Sequence, residues 1–235
     1  MWSAFLSGEY LIPSRHRVTG LPISLPLLLI GAGGHAKVVI ELFRAAHAYE
    51  PVGLVVREPS TGSVLGVPIV GTDSDLSRLR KTGLSRAFVA IGDNERRLAT
   101  GRGLERLGFE IVNAISPMAA VSPSACLGRG IAIMAGVSIN ADAQIDDFAV
   151  INTGASIDHD CHVGEGSHVA PGCAIAGKVM IGRLALIGIG SSAIPGISIG
   201  DGATIGAGAC VVRNVPSGAI ARGVPARVVR RHSSQ

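Results

Sequence analysis

The chain has 235 residues, enough for one large or two small domains with a core to bury, and a formal net charge of +4. Hydrophobic residues make up 47% but aromatics only 3%, and glycine occurs 32 times, so the interior is expected to be narrow and aliphatic. Scarce rings and scattered arginines argue against a nucleic-acid stacking surface, and the apolar stretch Leu21–Ile30 holds two prolines and is too short to span a bilayer.

Residues 1–26 read as an extension of unassigned purpose with no signal-peptide pattern. Cys126, Cys161, Cys173 and Cys210 form no CxxC pair, and a reducing, cytoplasmic setting is the expectation.

Residues 27–116 alternate strand and helix patterns. Leu27–Ile30 is a short apolar run, followed by the turn Gly31-Ala32-Gly33-Gly34-His35-Ala36-Lys37 and an amphipathic segment through Ala46. Val52–Val56, Ala87–Ile91 and Ile111–Ile115 read as further strands, with Asn94–Leu107 a helix that Asp93 or Asn94 would cap. Such alternation implies a small Rossmann-like parallel sheet. Gly31, Gly33 and Ala36 match the G-x-G-x-x-A pattern that lets a backbone approach a phosphate at a helix N-terminus. The acidic residue a dinucleotide needs after the second strand is not clearly present, so a nucleotide other than NAD is favoured.

Residues 117–235 are dominated by a repeat. Every sixth residue from Val121 to Val211 is Val, Ile or Leu, except Ala193, and a small residue recurs four places beyond most of them, as at Ala143, Ala155, Cys161 and Cys173. A period of six marks a parallel β-helix, with three hexads to each 18-residue coil. Cys161 and Cys173 fall on the small inward position and read as core filler rather than catalytic thiols. Glycine after the aliphatic, as at Gly164 and Gly182, is expected to relieve corners with backbone angles unfavourable to a Cβ. Outward apolar residues such as Phe148 and Leu184 suggest faces covered by other subunits.

Polar residues interrupt the repeat at Asn152, Asp158, His159, Asp160, His162 and His168. Acyl transfer from a thioester needs a base, and histidine fits. A flanking carboxylate would fix its tautomer. His162 and His168, six residues apart, fall on different faces, which argues against a metal site; His162 reads as structural. Gly177 lies one coil above His159 and would leave space and a backbone N–H there for an oxyanion.

The glycine turn at Gly31–Val39 opening an α/β unit, the hexads Ile151–Cys161 and the closing Gly223-Val224-Pro225-Ala226 together resemble the bacterial nucleotide-sugar N-acetyltransferases. These act on UDP-linked 4-amino-4,6-dideoxy sugars or GDP-perosamine, and sialic acid O-acetyltransferases are cousins. The resemblance implies a left-handed coil, acetyl-CoA as co-substrate with no metal, and a homotrimer with active sites between β-helices. It also implies a place in surface-polysaccharide biosynthesis. It places His159 on the general base and Asp160 on the acid beside it. Asn152 and His168 fall on lining positions, and Gly33, Gly34, His35 and Lys37 on the substrate-binding turn. Gly177, Ile189 and Ala207, with His168, fall on coenzyme-contacting positions. Relatives of the UDP-sugar type carry an acidic pair after the second strand; Val56-Arg57-Glu58 here leaves room for guanine. O-acetylation of a sialic acid and a β-helical binding module without chemistry are the alternatives.

Overall fold

The computed structural model describes residues 24–231. The expected extension therefore lies outside the described residues except at its end, where Leu25 and Pro26 already belong to strand β1 (Leu25–Ile30). The α/β domain continues with α1 (Gly34–Ala46), β2 (Tyr49–Val56), β3 (Ser63–Val64), β4 (Val67–Thr72), α2 (Leu76–Lys81), β5 (Arg86–Val89), α3 (Asn94–Arg106) and β6 (Glu110–Ile111). Its sheet runs β3-β4-β2-β1-β5-β6, parallel throughout apart from the short β3–β4 hairpin. Leu27, Leu28 and Leu29 are fully buried, as the middle of a parallel sheet covered on both faces requires. α1 buries Val39, Ile40 and Phe43, and Phe43 meets Phe88 edge-on at 5.5 Å. Asp93 is the cap of α3, its carboxylate accepting the Arg96 N–H at 2.8 Å. β3, β4 and α2 had no clear signal, being short and Gly/Pro-flanked.

The second domain is a left-handed parallel β-helix whose two-residue strands β7 (Ala114–Ile115) to β23 (Cys210–Val211) recur every six residues. From β7 to β20 each pairs in parallel with the strand eighteen residues on, as Val150 does with His168, so the coil length expected from the spacing holds. The strands fall into three sheets, and β24 (Ala219–Arg222) with β25 (Arg227–Arg231) closes the end of the first as an antiparallel pair. Ile133, Ile151, Val169, Ile187 and Ile205 stack inside one face, none more than 1% exposed.

Three sequence expectations change. Ile115 belongs to the first coil and not to the α/β sheet, so the β-helix starts at Ala114 and the two domains meet without a linker. Phe148 and Leu184 do not face a neighbour; they pack against the α/β domain in the same chain. Phe148 is fully buried beneath Gly101 and Gly130, with the Arg102 guanidinium 5.1 Å over its ring. Finally, Gly164 is required by clearance: a Cβ there would lie 2.7 Å from the Arg183 nitrogen of the next coil. The left-handed corner position comes two residues later, as at Gly166 with φ +65°.

Candidate active site

Two groups of side chains emerge, built on different parts of the fold. The first surrounds a cavity of about 400 Å³ at the carboxyl ends of β1, β2 and β5, where open parallel sheets bind ligands. Gly33, Gly34 and His35 line it on one side, Ile91, Gly92 and Arg96 on another, with Arg57 and Asp73 at its rim. Side chains at Gly33 or Gly34 would touch nothing within 4 Å, so their absence leaves the backbone open to a ligand. α1 has no side-chain cap and no acid in its first turn, so its N-terminus presents free donors suited to a diphosphate. Lys37 is exposed on α1 and is not among the residues lining this cavity, because the helix turns it away from the glycine turn.

Behind that cavity lies Arg97, which is fully buried. Its Nε donates to the Phe148 carbonyl at 2.8 Å, Nη1 to Ile91 and Gly92 at 3.1 and 2.9 Å, and Nη2 to Asn94 Oδ1 and the Gly166 carbonyl, both at 2.8 Å. One side chain thus joins the cavity wall to the β-helix. Burial, then the Arg97 charge, lowers the His35 imidazole from 6.5 to about 4. Burial, Arg97 and His35 do the same for His168, also to about 4. Asn152 sits against His168, Nδ2 to Nε2 at 3.0 Å. His35, Asn152 and His168 therefore form one group.

The second group stands on another edge of the prism. His159 and Asp160 occupy the corner between the six- and five-stranded sheets, and Asp160 holds a left-handed φ of +56° that Asp tolerates. The Asp160 carboxylate accepts from His159 Nδ1 at 2.7 Å, leaving Nε2 outward on a half-exposed ring. Asp158 fixes the backbone by accepting the His159 N–H at 2.8 Å while Asn140 donates to it at 2.9 Å. The Asn140 bond, then that N–H, lowers the Asp158 carboxyl. Gly177 lies against the imidazole: a Cβ there would be 2.6 Å from His159 Nε2. Its own N–H reaches no backbone carbonyl among the described residues. The space expected at Gly177 is thus filled by the ring itself.

The sequence cluster is therefore not one spatial cluster. Within a chain, His159 is on one edge and His168 on the eight-stranded sheet, half a coil apart. Ile189 and Ala207 stack one coil apart on the third edge, between the eight- and six-stranded sheets, both exposed. His162 is turned to Asp146 at 2.7 Å on the five-stranded face. Cys161 and Cys173 are buried, bonded to the Ala176 and Gly188 carbonyls at 3.1 Å, and burial pushes both thiols up. Among the described residues no three His, Cys, Asp or Glu side chains converge to hold a metal ion, and no helix is long and apolar enough to cross a membrane. Asp73, Arg96 and Arg97 were missed in the sequence, where Arg57 was noted only for standing in place of an acidic pair. Arg97 left a signal, as a charge on the same helical stripe as Leu98, Gly101 and Leu104.

A parallel sheet with a phosphate-ready glycine turn, fused to a hexapeptide β-helix carrying a His–Asp pair, defines a hexapeptide-type acyltransferase with its own nucleotide-binding domain. Residues 26–101 match the family model described as the PglD N-terminal domain. The chain is similar to PerB from Caulobacter crescentus, a structure in complex with CoA and GDP-perosamine: 50% identity, 90% of this chain and 100% of that one covered, TM-score 0.85. Two histidine variants of that perosamine N-acetyltransferase match equally well. The acetyltransferase domain of PglB from Neisseria gonorrhoeae, in complex with acetyl coenzyme A, is 36% identical over 88% of this chain and 100% of its own, TM-score 0.82. No curated protein matches. The chain belongs to the nucleotide-sugar N-acetyltransferase family, whose members use acetyl-CoA.

Proposed function

We propose that the chain transfers the acetyl group of acetyl-CoA to the C4 amine of GDP-perosamine or a closely related GDP-linked 4-amino sugar. The observation that carries this is the His159–Asp160 pair at 2.7 Å on an open edge of the β-helix. Asp160 holds the Nδ1 proton in place, so Nε2 accepts the proton that the sugar amine loses as its nitrogen attacks the thioester carbon. The Gly177 N–H, beside that ring, is placed to donate to the developing oxyanion. The C–S bond then breaks, and the coenzyme leaves as its thiol once the thiolate is protonated. Val56-Arg57 at the rim, where an acidic pair would suit uracil, favours the guanine nucleotide.

A homotrimer completes the site in this reading. The strands of the six-stranded face begin on small outward residues, among them Ser138, Ser156, Ala174 and Ser192. Turned toward a three-fold axis, that face brings the His159 edge of one copy against the Ile189–Ala207 edge of the next. His159 then meets the Asn152–His168 wall that its own chain keeps half a coil away. Four free cysteines suit a reducing, cytoplasmic compartment, and the product suits surface-polysaccharide biosynthesis.

The test is thiol release from acetyl-CoA with GDP- and UDP-linked 4-amino sugars. The GDP sugar is expected to turn over faster, and His159→Ala to lose about 10²–10⁴-fold in kcat. Undiminished turnover in the variant would remove the base assignment; preference for the UDP sugar would remove the guanine one.

A further inference from the structure

The site as proposed draws on three imidazoles, His35 and His168 from one copy and His159 from its neighbour, and their surroundings give them different duties. Asn152 Oδ1 accepts the Thr153 N–H at 2.8 Å, which turns the amide so that Nδ2 faces His168 Nε2 at 3.0 Å. An amide NH₂ can only donate, so His168 Nε2 must carry a lone pair and the ring is neutral with its proton on Nδ1. His35 Nε2 is buried and has no hydrogen-bond partner among the described residues. A charged His35 would need to bury that N–H unanswered, close to a second cation. The cation is Arg97, whose five donors are spent on main-chain carbonyls and Asn94, with no ion pair among the described residues. Asp93, whose carboxylate accepts the Arg96 N–H, is the acid whose charge reaches Arg97, so that field is offset only in part. Arg57, Asp73 and Arg96 share the His35 cavity; Arg97 Nη1 donates to Ile91 and Gly92 of that cavity's wall, and Nη2 to the Gly166 and Ser167 carbonyls that lead into His168.

We propose that Arg97 and Asn152 are positioning residues of the transfer site: they hold His35 and His168 as uncharged imidazoles, His168 in a single tautomer, leaving His159 as the one imidazole that exchanges a proton with substrate. A neutral wall keeps the acceptor amine from competing with two imidazolium charges, and it keeps the cavity's positive potential fixed on arginines, where a diphosphate needs it. The proposal rests on the reading of His159 as base. The two fail separately, because the charge states of His35 and His168 are read without turnover.

The experiment is ¹⁵N-imidazole NMR of the full chain from pH 8 to 5.5, with His35→Gln and His168→Gln for assignment. Both rings are expected to stay neutral across that range, His168 with its proton on Nδ1; either ring charging above pH 6 overturns the proposal. In Arg97→Met at least one ring is expected to charge within the window, and the acid limb of kcat/KM for the nucleotide sugar to move up by about one pH unit. Arg97→Lys, which keeps the charge, restores the limb. A folded Arg97→Met with wild-type titrations overturns the role of Arg97. Should that variant not fold, Asn152→Ala reads the same device: His168 is expected to show mixed tautomers, and an unchanged single tautomer overturns the role of Asn152.

Discussion

His159 and Gly177 stack one coil apart, the imidazole occupying the space a side chain at 177 would need, with 2.6 Å between Nε2 and the Cβ position. Gly177→Ala therefore has to displace the ring rather than the backbone, since its neighbours in the coil are fixed by the parallel ladder. The expected outcome is a fall of about 10–100-fold in kcat with an unchanged fold, because misplacing a catalytic group by about an ångström costs that much. Steady-state kinetics beside circular dichroism checks it; wild-type kcat would show that the ring position is not critical.

The Asp160 carboxylate meets His159 at Nδ1, 2.7 Å away, and in the proposed mechanism acts through that ring. Asp160→Ala is expected to lower kcat about 10- to 100-fold while leaving the KM for acetyl-CoA nearly unchanged, as orientation of the ring and not coenzyme contact is lost. A variant that raises the acetyl-CoA KM with kcat intact would reassign Asp160 to binding.

Stability should fall between pH 6.5 and 4. His35 and His168 are lowered from 6.5 to about 4, so in that window the unfolded chain binds protons that the native chain refuses. The contribution is full above pH 6.5 and is lost as pH drops toward 4. Together the two rings are expected to cost about 3 kcal/mol of unfolding free energy between pH 7 and pH 5, read by denaturant titration. His168→Gln should remove about half of that slope; a flat profile from pH 7 to 5 in wild type contradicts it.

Thiol reactivity should separate the cysteines. Cys161 and Cys173 are buried with thiols pushed up, so their thiolate is scarce at neutral pH, whereas Cys126 is exposed. Mass spectrometry after iodoacetamide at pH 7.5 is expected to find Cys126 labelled and Cys161 and Cys173 unmodified, with activity retained. Rapid labelling of Cys161 would mean that the inward small position is not sealed.

How much of this was legible in the sequence depends on the range of the interaction concerned. The β-helix was, because each hexad repeats the same local demand, an aliphatic inward and a small residue beside it, and period alone exposes it. The glycine turn and a cap at Asp93 or Asn94 were legible from local chemistry, and the structure chose Asp93. Lys37 stands apart from the residues lining the cavity, because a motif names residues while the helix decides which way each one points.

By itself the sequence determined an α/β unit followed by the repeat, the 18-residue coil, the inward placing of Cys161 and Cys173, and a carboxylate beside His159, all matters of near neighbours or strict period. Only the tertiary structure decided the rest. It put Phe148 and Leu184 beneath α3 and made Arg97 a bridge between domains. It also parted His159 from His168 and brought His35 beside the latter. The physical reason is that winding a chain three faces to the coil sets neighbours by the eighteenth residue, and docking a second domain sets them by shape, so closeness along the chain says little about closeness in space.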